Sequence, residues 1–112
     1  MNLPAGLVVA ATPNVTGSCG AGTITATAGS GSISLSSGTL TASPAAGSTC
    51  NFSVDVTGTT AGSQSNTTGA ITSTEGGTGA TSNTAVLAVV ASPSIAKVFN
   101  PAGIPLKGTT SL

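Results

Sequence analysis

The sequence has no His, Trp, Tyr or Arg, and only four charged side chains among 112 residues. Each absence removes a class of function. Asp55 and Glu75 are the only carboxylates, and Lys97 and Lys107 the only cations, so net side-chain charge is zero. Binding a phosphate backbone takes several cations, which excludes nucleic acid as a partner. Without basic residues along an amphipathic helix, a charged membrane surface is excluded as well. No apolar run reaches the length of a membrane-spanning helix, so membrane insertion is not expected. "LPAGLVVAA", Leu3–Ala11, has the apolar character of a signal-peptide core. It lacks a cation ahead of it and is interrupted by Pro4 and Gly6, so it reads as a strand with a leading turn.

Chemistry is equally short of parts. Ser and Thr are abundant, but a hydroxyl nucleophile needs an activating base, and there is no imidazole to supply one. Asp55 falls on the outward side of its strand and Glu75 in a Gly-rich turn, so both read as solvated charges. Two carboxylates far apart in sequence cannot build an oxygen-rich calcium cage. The reading is therefore non-enzymatic, with no catalytic residue, cofactor or metal assigned. Lys97, Glu75 and several Asn supply the residue types of an internal isopeptide cross-link, but nothing in the sequence buries them together. The row Thr23, Thr25, Thr27 resembles an ice-binding face. A single such row is the ordinary solvent face of a β-strand, where Thr is favoured. Three N-x-S/T matches, at Asn14, Asn51 and Asn66, arise readily in a chain this rich in Ser and Thr.

What the sequence does have is small residues. Ala, Gly, Ser and Thr make up 69 of the 112 positions, and Val, Leu, Ile, Phe and Met only 24. So few large side chains approach the composition of disordered chains, but disorder also calls for high net charge. A neutral chain of small and β-branched residues favours packed β structure. It also has little electrostatic protection against association.

The hydrophobic pattern alternates with period two. In "GSTCNFSVDVTGTT", Gly47–Thr60, Cys50, Phe52, Val54 and Val56 share one face. Thr23–Ala28 places Ile24 inward, and Ile33 and Leu35 follow in the same style. A turn at Ser36–Gly38 would bring Leu40 inward. Ile71 belongs to a weaker inward set. Thr84–Ala91, "TAVLAVVA", is apolar on both sides and predicts a central strand covered on two faces, with Leu87 and Val89 inside. "GSG", "SPAAGS", "TAGSQSN" and "EGGTGATSN" read as connections. No stretch has a 3.6-residue period with caps. The predicted core is thus Ile24, Ile33, Leu35, Phe52, Val54, Val56, Ile71, Leu87 and Val89. The predicted fold is an all-β antiparallel sandwich.

Cys19 lies directly before the Thr23 strand, and Cys50 heads its own. If the two strands are neighbours, a disulfide ties their starts together. The alternative is two buried thiols acting as small hydrophobes. The extracellular look of the composition favours the bridge.

"NLPAGLVV", "SCGAGTITATAGSGSISLSSGTL", "CNFSVDVTGTTAGSQSNTTGAITSTEGG" and "AVLAVV" together resemble the tandem immunoglobulin-like repeats of large bacterial surface and secreted adhesin-like proteins. The resemblance implies an immunoglobulin-like β-sandwich outside the cell, with neighbouring repeats of the same polypeptide as its partners. In that family a strand-rich segment precedes the "NLPAGL" turn, and here it does not. "PSIAKVFNPAGIPLKGTTSL" resembles the opening of a following repeat. Residues 1–92 are therefore expected to form most of one repeat. Residues 93–112 are expected to form the opening strands of the next, or a tail folding back, so that the sandwich is incomplete or permuted across a repeat boundary. The implied role is a structural stalk or spacer. The alternatives are an adhesin module binding a ligand through its loops, and a subunit that exchanges strands through open edges to form fibres.

Overall fold

The computed structural model describes residues 1–112. It is all-β, with ten short strands and no helix. In chain order they are β1 (Leu7–Val9), β2 (Thr16–Ser18), β3 (Thr23–Thr25), β4 (Ser34–Ser36), β5 (Asn51–Ser53), β6 (Val56–Gly58), β7 (Gly62–Asn66), β8 (Thr72–Ser73), β9 (Gly77–Thr78) and β10 (Ala85–Val89). The strands join two by two and always antiparallel, as β1–β6, β2–β5, β3–β4, β7–β10 and β8–β9.

β1 anchors the molecule. A turn from Pro4 returns the Leu7 N–H to the Pro4 carbonyl at 2.9 Å, and the chain enters the strand there. Leu7 and Val9 are buried. One edge of β1 pairs with β6, placing Leu7 opposite Gly58 and Val9 opposite Val56. On its other edge, Val9 N–H donates to the Ser30 carbonyl at 2.8 Å, and Gly29 N–H donates to the Val9 carbonyl at 2.9 Å. Residues 1–3 continue this side by pairing with Gly31–Ile33, and Ile33 is buried there. Gly58 has no side chain because Val89 of β10 packs over it; a Cβ there would lie 2.8 Å from both Val89 methyl groups.

Cys19 and Cys50 form a disulfide, with Cα atoms 4.8 Å apart. Its setting differs from the expected one. The partner of the Cys50 strand is β2, not the Thr23 strand: Ser18 pairs with Asn51, and the bridge extends that ladder by one position. β3 pairs with β4 instead, Ile24 opposite Leu35. β2 carries no apolar alternation. Its Gly17 sits at φ +84°, and a Cβ there would fall 2.8 Å from Phe52 Cα, so the close approach to β5 requires glycine.

The "CNFSVDV" run is not one strand. It breaks at Val54–Asp55, and β5 and β6 pair with different partners. "TAGSQSN", expected as a connection, supplies β7, which pairs with β10 over five positions from Ala85–Asn66 to Val89–Gly62. β10 is not covered on both faces. Val86 is 65% and Leu87 47% exposed, because the ribbon it forms meets the β1–β6 pair only in part, through Val89 over Gly58 and Gln64 beside Gly6. The core is accordingly smaller than the predicted set. Ile33 is buried; Ile24, Val54 and Val89 are half-buried; Leu35, Phe52 and Val56 lie near the surface. Ile71 is 74% exposed and Leu40 stays outside, 57% exposed, although the chain does bend at Ser37 (φ 55°).

The whole is extended, 84 × 25 × 22 Å. Its radius of gyration is 24.0 Å, against about 13 Å for a compact domain of this length. Residues 93–112 form hydrogen bonds only among themselves, such as Asn100 N–H to the Ser111 carbonyl at 3.1 Å.

Candidate functional site

Two concave surfaces share Phe52. The first is an apolar hollow of about 280 Å³ beside the buried core, walled by Leu7, Ile33, Phe52, Val54, Val56 and Leu87. The pairing explains why these residues converge. β1 and β6 bring Leu7 and Val56 to one wall, β5 delivers Phe52, and β10 delivers Leu87. Two amides stand at its rim. Gln64 Nε2 donates to the Thr60 carbonyl at 3.1 Å. Asn66 Oδ1 is buried without a donor, while its Nδ2 faces Met1 Sδ at 3.5 Å.

The second surface is a groove of about 1100 Å³ that Phe52 also lines. The disulfide forms part of its wall. Leu35, Leu40 and Ile71 supply its apolar contacts and Glu75 lies at its edge. Glu75 sits in the β8–β9 turn, closed by Gly76 N–H donating to Ser73 Oγ at 2.9 Å.

Of the predicted core residues, Phe52, Val54, Val56, Ile33 and Leu87 are brought together at the hollow. Leu35 and Ile71 face the groove instead. Ile24 and Val89 line neither surface.

Asp55 is exposed but holds a specific position. Its Oδ2 accepts from Asn14 Nδ2 at 2.7 Å, its N–H donates to the Pro13 carbonyl at 2.8 Å, and its carbonyl accepts from Ala10 N–H at 3.0 Å. It therefore clamps the Ala10–Asn14 connection at the break between β5 and β6. Asn14 takes φ 44° there, a conformation Asn tolerates better than most residues. The sequence offered one signal for this clamp, an Asn beside a Pro in a connection. It offered none for the pairing with Asp55, 41 positions away. Of the N-x-S/T asparagines, Asn14 is thus engaged and Asn66 sits at the hollow, while Asn51 is exposed on β5. No group of three or more His, Cys, Asp or Glu side chains gathers anywhere in the molecule. No helix is long and apolar enough to cross a membrane.

Residues 1–89, the span from the first residue to the end of β10, match the family model described as a domain of unknown function, DUF7933. The chain belongs to the DUF7933 family. All ten strands of this DUF7933 domain fall within the match, and the exposed tail lies beyond it. No match is found among curated proteins or solved structures.

Proposed function

We propose that this DUF7933 domain is a non-catalytic stalk or spacer repeat of a bacterial cell-surface or secreted protein. The observation that carries the reading is the extended form, which turns 112 residues into a body 84 Å long. Two further features support it. A disulfide pins the middle of the chain, as suits an oxidising compartment. The hollow is lined almost entirely by apolar side chains, with Gln64 and Asn66 its only polar ones, and neither concave surface holds an imidazole. In this reading the repeat is immunoglobulin-like. Its partners are then neighbouring repeats of the same polypeptide. The resemblance to adhesin-like repeats favours the same role.

The test is surface proteolysis and labelling of intact source cells with an antibody raised against residues 1–92. A spacer repeat is stained and clipped without lysis. An epitope reached only after lysis contradicts the proposal.

A further inference from the structure

The accessible surface of the chain is 8072 Å². A compact protein of 10.3 kDa exposes about 5,400 Å². The excess, about 2,700 Å², falls within the range that obligate protein interfaces bury, about 2,000–5,000 Å². Exposed apolar side chains contribute to it in two places that matter here. One is the apolar hollow with the adjoining groove. The other is the tail, where Ile95 is 85%, Val98 75%, Phe99 55% and Leu106 95% exposed.

The two surfaces complement each other. Both cationic side chains, Lys97 and Lys107, are in the tail, and both carboxylates, Asp55 and Glu75, are in the body. Glu75 lies at the edge of the groove. Charge complementarity of this kind orients an encounter more than it tightens it. Hydrogen bonding points the same way. From Val90 to Phe99 the chain makes no turn or bend and joins no strand, so its backbone groups are free to pair.

The tail does not reach its own hollow. It leaves β10 with no turn or bend up to Phe99, and Pro93 disfavours a helical turn at Ser92. Its hydrogen bonds stay within residues 100–111.

We propose that the tail of one copy, residues 93–112, docks along the hollow and groove of a second copy. The contact is heterologous, since each copy gives a tail at one end and receives one on its body. Such a contact does not close on itself and produces open linear arrays. The inference concerns the surfaces of this chain and stands whether or not the parent protein is a stalk.

Sedimentation of the full chain, from micromolar to millimolar concentration, tests the proposal with two variants. Ile95→Asp with Phe99→Asp alters only the tail. Leu87→Asp alters the hollow at a residue already 47% exposed. The unmodified chain is expected to gain mass with concentration beyond a dimer. Each variant alone is expected to remain monomeric. Mixed in equal amounts, the intact hollow of the tail variant and the intact tail of the hollow variant are expected to form a dimer that does not grow. A chain that stays monomeric throughout overturns the proposal, as does assembly by either variant alone or a mixture without a dimer. Should Leu87→Asp fail to fold by circular dichroism, the tail variant decides: monomers support tail docking, and arrays overturn it.

Discussion

At the residue scale, stability rests on very few side chains. Leu7, Val9 and Ile33 are buried, and most other large apolar residues are at or near the surface. Burial, not size, therefore ranks the substitutions. Leu7→Ala is expected to cost about 2–5 kcal/mol, the usual range for a buried Leu. Ile71→Ala, at a side chain 74% exposed, is expected to stay within about 0.5 kcal/mol of the parent. Urea denaturation of the two variants checks the order. Equal losses would mean that Ile71 is packed in solution. Only part of this was legible in the sequence. Period-two alternation put Phe52, Val54 and Val56 on one face, and all three line the hollow, but it grouped Ile33 with Leu35, which the structure separates. It could not mark Ile71 or Leu87 as exposed, because alternation gives the side a residue faces and not whether anything covers that side.

At the element scale, the disulfide locks a ladder that has little packing of its own. β2 is three residues long with glycine in the middle, and all of β2 and β5 is exposed. The bridge spans 31 positions. On the chain-entropy model, closing a loop of that size stabilises the fold by about 3–4 kcal/mol. Cys19→Ser together with Cys50→Ser is expected to lower the unfolding free energy by that amount. Denaturation of the oxidised parent and the variant under the same conditions checks it, and unchanged stability would show that the ladder stands without the bridge. The pairing of the two cysteines was legible from their places near strand ends, but the strand that the bridge serves was not. β2 and β7 read as "TGS" and "GSQSN", which have no alternation to detect. What makes them strands is the partner each meets across the chain: Phe52 beside Gly17, and the Ala85–Val89 run beside Gln64. The sequence located strands at Leu7–Val9, Thr23–Thr25 and Ala85–Val89, but its clearest alternation, Cys50–Val56, is split between β5 and β6.

At the scale of the whole molecule, five separate two-stranded ladders replace the two broad sheets that the strand spacing suggested. Short strands at regular spacing specify how often the chain turns. They do not specify how many ladders share an edge, which depends on pairings between distant segments. The extended form follows from those pairings and from the straight exit of the tail, and composition gave no sign of it. Both features underlie the spacer role and the tail docking. Small-angle X-ray scattering of the Ile95→Asp, Phe99→Asp chain, extrapolated to infinite dilution, tests the shape directly without interference from assembly. The structure predicts a radius of gyration near 24.0 Å and a longest dimension near 84 Å. A radius near the compact value of about 13 Å would contradict it.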